Sequence, residues 1–243
     1  MEPGQVKVDV VIPVYNEERV LERSVSALRD YLGANCPYRW RIVVADNASV
    51  DNTGEMAQRL AQRYPDVAYV HLDQKGRGRA LRKAWLESDA DILSYMDVDL
   101  STNLNAFMPM VEALVSGGYH AGIGSRLMKG ARVARQFKRE FISRTYNLLI
   151  KLLFWNRFSD AQCGFKALRR EVARDLVPLI EDQAWFFDSE LLLLAEHRGY
   201  KNKEVPVEWI EDLDSRVKIV RTAWEDIKGL LRVRWRFLRG GPP

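Results

Sequence analysis

The sequence predicts an α/β fold in which a mainly parallel sheet carries helices on both faces. Residues 6–14 form a nearly continuous β-branched run, which is typical of a strand buried on both faces. A helical pattern opens after this run at Asn16 and continues to Leu28. The same order of strand and helix recurs three times, and strands that alternate with helices at this spacing indicate right-handed crossovers.

The later elements are predicted from the same changes of pattern. Strands are expected at residues 40–45, 67–72 and 92–96, and the helices that follow them at residues 53–64, 79–87 and 104–115. After Gly124 the alternation becomes irregular, with a basic and apolar segment at 134–158, a helix around 188–198, a strand at 204–209 and a final helix from about residue 217. No internal repeat or flexible linker separates these parts, so we expect a single domain over residues 1–243.

The composition is that of a globular protein. The chain has 243 residues, of which 47% are hydrophobic, and this is ample for a core. No stretch of 18 apolar residues occurs, so we expect no segment that spans a bilayer unaided. The first residues lack the pattern of a secretory signal, and Cys36 and Cys163 fit no metal or disulfide spacing. These features predict a cytoplasmic protein with reduced thiols.

The charge of the chain is unevenly distributed. The net charge is only +4, but residues 132–157 and 216–239 are rich in Arg and Lys and poor in acids. Such segments favour an anionic partner. No nucleic-acid reading motif accompanies them, so a nucleic acid is not the expected partner.

Two carboxylates lie two positions apart where the fourth predicted strand ends, in YMDVDLST at residues 95–102. Asp97 and Asp99 would project from one face, at the edge of the sheet where α/β proteins bind ligands. Because like charges repel, a divalent cation between them is the natural partner, and Mg²⁺ is commonly held by one or two carboxylates plus substrate phosphates. The alternative is that an acid at this position only caps the next helix.

Two further stretches lie after predicted strands. Asp46 ends the second strand and would accept hydrogen bonds from a base or ribose, although an Asx-turn within DNAS is an equal alternative. Residues 75–79, KGRGR, form a basic turn that leads into a helix and suits a phosphate.

The motifs together resemble one family. VVIPVYNEE, ADNASVDNT, KGRGRALRKAW, MDVDLS, GSR, KREFISRTYN, DAQCGFKALRR, WFFDSELLLLAEHRGY and EVPVEW follow one another as in the family 2 inverting glycosyltransferases. They look most like the branch that contains dolichol-phosphate mannose synthase and the polyprenyl-phosphate glucosyltransferases. The resemblance covers roughly residues 7–220. It implies a Rossmann-like, nucleotide-sugar-binding sheet of the GT-A type, with a nucleotide-sugar half at about 6–125 and an acceptor-binding, membrane-proximal half at about 126–243.

The resemblance also implies roles for individual residues in binding the donor. Asp99 would be the principal ligand of Mg²⁺ or Mn²⁺, and Asp97 would contact the donor near its ribose and diphosphate. Arg216 matches a mobile basic loop that closes over the diphosphate, with either Lys218 or Arg221 as a second cation. The implied nucleotide-sugar site comprises Pro13, Tyr15, Glu17, Val44, Asp46, Lys75, Asp97, Arg216 and Lys218.

Other matching positions would handle the acceptor. Arg126, Arg139 and Ser143 would meet the phosphate of a lipid acceptor and the donor. Asp160 lies where some relatives have a candidate base or an acid that orients the acceptor, so the implied catalytic set is Asp97, Asp99 and Asp160.

The implied reaction is transfer of mannose or glucose, from GDP-mannose or UDP-glucose, to a polyprenyl phosphate at the cytosolic face of a membrane. A separate membrane-anchoring subunit is an open alternative for attachment. The sequence departs from the family at Asn47, where an acid is common, and at Ser101, where the mannose synthases have a glutamine. Both departures leave the identity of the donor open.

Three alternatives stay open at this point. The acceptor could be a sugar hydroxyl, in which case Asp160 or Asp188 would have to act as a base. The chain could instead be a non-catalytic subunit that binds sugar nucleotides. Residues 148–155 and the last helix are apolar beside basic residues, which suits amphipathic membrane-proximal helices, but the same pattern fits helices that pack on the domain.

Overall fold

The computed structural model describes residues 5–134, 136–210 and 219–240. Its elements, in chain order, are β1 (Lys7–Val14), α1 (Leu21–Asn35), β2 (Arg39–Asn47), α2 (Thr53–Arg63), β3 (Val67–Leu72), α3 (Arg77–Leu86), β4 (Ile92–Met96), α4 (Phe107–Val115), β5 (Ala121–Ser125), β6 (Arg132–Ala134), α5 (Phe137–Phe154), β7 (Phe165–Arg169), α6 (Arg170–Leu176), α7 (Phe187–His197), β8 (Asn202–Pro206), β9 (Glu208–Ile210) and α8 (Ile219–Leu238). Short 3₁₀ turns at Leu104–Ala106 and Val177–Leu179 precede α4 and follow α6.

A seven-stranded sheet forms the centre, in the order β3-β2-β1-β4-β7-β5-β8. β1 pairs in parallel with β2 and β4, β2 with β3, and β5 with β8, whereas β7 runs antiparallel between β4 and β5. The prediction of a mainly parallel sheet is therefore confirmed. The reversed direction of β7 places Phe165, at its start, beside Met96, at the end of β4. The loop before β7 consequently lies at the edge of the sheet where the parallel strands end.

Helices cover both faces of the sheet. Val10 packs in a cluster with α1, α2 and α4, and its neighbour Val11 packs in a second cluster with α3, α6 and α7. β1 is thus buried on both faces, as its β-branched run predicted. A third cluster joins α5, α7 and α8 around Ile150, Leu193 and Leu230.

One strand expected in the second half is divided in the structure. The single strand expected at 204–209 is two strands, β8 in the main sheet and β9 in a two-stranded sheet with β6. Val207 separates them and is buried in the core, where its side chain contributes to the first cluster. Within the described residues, no helix combines the length and apolarity needed to cross a bilayer.

Candidate active site

One edge of the sheet gathers the polar residues singled out in the sequence. Asp46 and Asp97 lie at the carboxyl ends of β2 and β4, and Arg126 directly follows β5. Asp160 precedes β7, which reaches the same edge because it is antiparallel. Burial lowers the pKa of Arg126, but the negative charges of Asp160 and, to a smaller extent, Asp97 outweigh burial, so the pKa is raised. The two halves of the chain therefore meet at this edge.

The carboxylate of Asp97 is held on both sides. Arg77 donates a hydrogen bond from Nη2 to Oδ1 at 2.7 Å. On the other side lies Gly164, where an added Cβ would come within 1.8 Å of Oδ2 of Asp97. The backbone N–H of Asp97 also donates to the carbonyl of Gly164 at 3.2 Å. Any side chain at position 164 would displace this carboxylate, so Gly164 is a site residue that the sequence reading did not identify.

Arg77 links Asp97 to buried charges beneath the site. Its Nη1 donates to Oδ2 of Asp188, the second residue of α7, and Lys166 of β7 lies 3.2 Å from Oδ1 of the same carboxylate. Burial alone would raise the pKa of Asp188, but Lys166 and Arg77 outweigh it and the pKa is lowered. Tyr95 donates its hydroxyl to Oδ1 as well. Asp188 is 3% exposed and its oxygens bind these three side chains, so it is poorly placed to take a proton from an acceptor.

Asp99 lies in the loop between β4 and α4. Its Oδ1 accepts a hydrogen bond from the backbone N–H of Ser101 at 2.9 Å, and the residue is partly exposed. The loop is tied to β9, because the N–H of Asn103 donates to the carbonyl of Glu208 and the N–H of Ile210 to that of Ser101. The strand that precedes the predicted basic loop therefore positions the loop that carries the acids.

The donor set at this edge fits a hard divalent cation shared with a substrate. Asp97 and Asp99 provide carboxylate oxygens, the ligands that Mg²⁺ and Mn²⁺ prefer. Within residues 5–134, 136–210 and 219–240, no three His, Cys, Asp or Glu side chains cluster to form an all-protein metal site. Two carboxylates suit an ion that completes its coordination with substrate phosphates and water.

Asp160 and Arg126 form a buried ion pair. Nε of Arg126 lies 2.8 Å from Oδ2, and Nη2 lies 2.9 Å from Oδ1 of Asp160, which is fully buried. Burial would raise the pKa of Asp160, but Arg126 holds it below its usual range. The ring of Trp209 lies 5.5 Å from the guanidinium of Arg126. The pair has the bidentate geometry that fixes the orientation of an arginine.

Asp46 is held within its own turn and by two aromatic residues of β3. Its Oδ1 accepts from the N–H of Ser49 at 3.0 Å, three residues on, which is one residue further than in the Asx-turn that the sequence offered as an alternative. Oδ2 lies 3.1 Å from the hydroxyl of Tyr69 and 3.0 Å from Nδ1 of His71. The pKa of Tyr69 rises to about 12 through burial and the nearby charge of Asp46. The sequence analysis assigned no role to His71, yet His71 contacts the carboxylate of Asp46.

The other residues of the implied nucleotide site differ in whether their side chains reach the cleft at this edge of the sheet. Nζ of Lys75 lies 3.4 Å from the centre of the Tyr15 ring, which brings two of them together. The backbone N–H of Glu17 donates to Oγ1 of Thr53 at 2.8 Å. Val44 is fully buried in the core, so its side chain does not reach the cleft. Pro13 is partly buried near the end of β1.

The implied acceptor residues on α5 lie on a helix that is docked on the Asp160 loop. Arg139 and Ser143 are both partly buried. Asn147, one turn after Ser143, donates to its carbonyl and accepts from the N–H of Ala161 at 2.9 Å. Arg216 and Lys218 lie outside the described residues.

Comparison with known proteins agrees with this arrangement. The family model described as glycosyl transferase family 2 matches residues 9–177. The chain is 37% identical over 232 residues to glycosyltransferase AglD of Haloferax volcanii, covering 95% of this chain and 37% of that protein. It is 32% identical over 228 residues to dolichyl-phosphate beta-glucosyltransferase ALG5C of Trichomonas vaginalis, covering 89% of this chain and 68% of that protein.

The fold has close counterparts among crystal structures. One is glucosyl-3-phosphoglycerate synthase from Mycobacterium tuberculosis in complex with Mn²⁺ and UDP-glucose, with a TM-score of 0.71 and 17% identity over 98% of this chain and 80% of that one. This likeness shows the GT-A fold. Because the family model spans more than half of the sequence and the motif resemblance agrees with it, the chain belongs to glycosyl transferase family 2.

Proposed function

We propose that this chain is a metal-dependent inverting glucosyltransferase that moves glucose from UDP-glucose to the phosphate of a polyprenyl, dolichyl-type lipid at a membrane surface. The observation that carries the proposal is the meeting, at one edge of the sheet, of Asp97 and Asp99 with the Arg126–Asp160 pair. The relatives that act on dolichyl phosphate, and the neighbour that binds UDP-glucose with Mn²⁺, favour glucose and UDP over mannose and GDP.

The donor half of the reaction follows from the acids and the basic groups around them. Asp46 would accept hydrogen bonds from the base, and Tyr15 with Lys75 would lie beside the nucleoside or its phosphates. Asp99 would hold the divalent cation and Asp97 the ribose and diphosphate. A bound cation supplies neutralisation of the charge that develops on the leaving diphosphate. The protein itself would orient the donor so that the anomeric carbon of glucose faces Arg126.

The acceptor half needs orientation and not a strong base. A lipid monophosphate is already an anion at neutral pH, so positioning and neutralisation by an arginine are sufficient. Arg126 uses Nε and Nη2 for Asp160, and within the described part of the chain its Nη1 has no protein partner. We assign Nη1 to the acceptor phosphate and Asp160 to holding Arg126 in place.

The bond changes are a single displacement. An oxygen of the lipid phosphate forms a bond to the anomeric carbon as the bond from that carbon to the UDP diphosphate breaks. UDP leaves with the electron pair of the broken bond. One displacement inverts the configuration, so an α-linked donor gives a β-linked lipid phosphate.

The surface of α5 and α8 supports a lipid acceptor. Both helices expose large apolar side chains at helical spacing, and Trp155 is 86% exposed. Lys151 and Lys228 lie on the same helices and Arg239 directly follows α8, which suits the interface of an anionic leaflet. The exposed apolar set, called the apolar face below, comprises Phe137, Phe141, Leu148, Leu152, Trp155, Trp224, Leu231, Trp235 and Leu238.

A direct assay tests the proposal. The protein is incubated with Mn²⁺ and either UDP-glucose or GDP-mannose, together with a short polyprenyl phosphate, the matching polyprenol or a soluble glycan. We expect a β-linked glucosyl lipid phosphate, identified by mass spectrometry and by the anomeric proton coupling, only with UDP-glucose and the lipid phosphate. A product on the polyprenol or glycan would overturn the acceptor assignment, and a product only from GDP-mannose would overturn the donor.

A further inference from the structure

Four side chains of alternating charge lead from the protein interior to the site. Lys166 on β7 is 1% exposed and pairs with Asp188 on α7. Arg77, at the start of α3, bonds to Asp188 through Nη1 and to Asp97 through Nη2. Only Asp97 reaches the cleft, where its side chain is 43% exposed. Three different elements thus converge on one catalytic carboxylate.

The charges of these four side chains balance only when all four are present. An unpaired charge in a protein interior is strongly destabilising, so two buried cations require two carboxylates. Asp188 lies between Lys166 and Arg77, and Asp97 compensates the remaining positive charge. The guanidinium of Arg77 is planar and uses two nitrogens for two carboxylates, so Asp188 fixes the plane in which Arg77 meets Asp97.

Asp97 has no room to move away from this contact on its other side. Oδ2 lies against the backbone of Gly164, close enough that a Cβ there would overlap it. Tyr95 and Trp185 enclose Arg77, with ring centres 4.8 and 5.2 Å from its guanidinium carbon. Arg77 is thus held by Asp188 and the two rings, and Asp97 is held between Arg77 and Gly164.

We propose that Asp188 is a positioning residue, which acts through Arg77 to hold the carboxylate of Asp97 in its donor-binding orientation before any nucleotide sugar arrives. The proposal deepens the proposed function, because it assigns a role at the same site. It also gives the acid at the start of α7 a task other than that of a base. Displacement of a catalytic group by about 1 Å costs on the order of a hundredfold in rate, so this preorganisation carries a large effect.

Asp188→Asn and Arg77→Lys are the test variants. The first keeps the shape of Asp188 but removes its charge, and the second keeps the charge of Arg77 but removes the fork that reaches both carboxylates. The matched control is Asp9→Asn at the opposite edge of the sheet. Asp9 is also buried, with Arg41 at 2.7 Å and Ser88 at 2.6 Å, so its loss removes a comparable ion pair far from Asp97.

The first readout is amide hydrogen exchange of residues 97–101 in the protein without ligands. Exchange there should rise about tenfold in Asp188→Asn and Arg77→Lys and stay unchanged in Asp9→Asn, because only the first two release Asp97. The second readout is the Kd of UDP with Mn²⁺, measured by tryptophan fluorescence, which should weaken about tenfold in the same two variants.

Two results would overturn the proposal. One is equal protection of residues 97–101 from exchange in Asp188→Asn and Asp9→Asn when both variants lose the same thermal stability. This result would make Asp188 a structural residue only. The other is full retention of protection in Arg77→Lys, which also decides the matter if Asp188→Asn fails to fold. Because exchange is measured without a ligand, failure of the wild-type protein to bind UDP would refute the proposed donor and leave the positioning result standing.

Discussion

The guanidinium of Arg126 binds both carboxylate oxygens of Asp160, and the backbone N–H of Arg126 donates to Oδ2 at 3.1 Å as a third bond. Asp160 is also fully buried, and Arg126 lowers its pKa against the effect of burial. A carboxylate whose pKa is lowered and whose two oxygens are both engaged is a poor proton acceptor. Asp160 is therefore placed to orient Arg126, which argues against the alternative in which the acceptor is a sugar hydroxyl and Asp160 is its base.

Replacing Asp160 should therefore damage binding of the acceptor and not proton transfer. In Asp160→Asn the charged bidentate contact is lost and Arg126 is free to turn, so we expect kcat/KM for the lipid phosphate to fall about a hundredfold. The KM for UDP-glucose should change little. Steady-state kinetics with each substrate varied in turn provides the measurement.

The pH profile separates the two roles of Asp160. If it orients Arg126, the wild-type rate has no limb from this carboxyl group between pH 5 and 9, since the pKa lies below that range. A limb in this range that disappears in Asp160→Asn would identify Asp160 as a base and contradict the prediction.

Asp99 should be indispensable for the metal. It is partly exposed, so Asp99→Ala is expected to leave the melting temperature nearly unchanged while turnover falls below detection. Removal of divalent ions with a chelator should abolish the activity of the wild-type protein, and added Mn²⁺ should restore it there but not in the variant. The control is Asp73→Ala, since the Asp73 side chain is 97% exposed on the loop after β3. Undiminished activity of Asp99→Ala would remove this residue from the metal site.

Asp226 should make the protein less stable as the pH rises. Asp226 lies on α8 and is 3% exposed. Its Oδ2 accepts a hydrogen bond from Nε2 of Gln162 at 2.7 Å, and its Oδ1 has no partner within the described residues. Burial, with the charges of Asp182, Glu225 and Asp188, raises its pKa from 3.8 to about 7. The unfolded chain loses this proton near pH 4 and the folded protein only near pH 7. The stabilising contribution is complete below pH 4 and is lost between pH 4 and 7.

Asp226→Asn tests this pH dependence. One pKa unit corresponds to about 1.4 kcal/mol, so a shift of about three units sets an upper limit of about 4 kcal/mol. We expect the variant to unfold at higher denaturant concentration than the wild-type protein at pH 8, with little difference at pH 4. Glu55→Gln is the control and should not alter the slope of stability with pH, because Glu55 lies exposed on α2 and its charge is not among those that act on Asp226. An equal slope in Asp226→Asn and the wild-type protein would refute the prediction.

Local pattern was enough to place the first half of the fold. The strands β3 and β4 begin and end where the sequence predicted. Every residue of β4 is buried, which leaves an unbroken run without charges, whereas β3 is an edge strand with an exposed His71. The direction of β7 was not predicted, since it depends on pairing with Met96 and Ile123, which lie far away in the sequence. The division of β8 from β9 likewise depends on β6, a strand of three residues without a pattern of its own.

The same distinction applies to the site. Asp97 and Asp99 were singled out because two acids two positions apart after a strand are a local signal. Arg77 was predicted only as part of a phosphate-binding turn, and Lys166 was not singled out, because their ion pairs depend on a shared partner, Asp188, that is distant in sequence from Arg77. Gly164 did leave a signal, a glycine within the DAQCGFK motif, but only the structure shows that Asp97 occupies the space of its side chain.

Binding to membranes should depend on the apolar face. Leu152 on α5 and Trp235 on α8 are 66% and 57% exposed, and each would bury most of this area in a lipid interface. Burial of one large apolar side chain contributes on the order of 1.5 kcal/mol, about tenfold in a partition constant. We expect Leu152→Glu and Trp235→Glu each to weaken binding to vesicles of phosphatidylcholine and phosphatidylglycerol by about that factor, as measured by cosedimentation. Val50→Glu, on the loop before α2 and 83% exposed, is the control because it lies outside the apolar face. If all three variants bind vesicles like the wild-type protein, α5 and α8 do not form the membrane contact, and the lipid acceptor must reach Arg126 from another side.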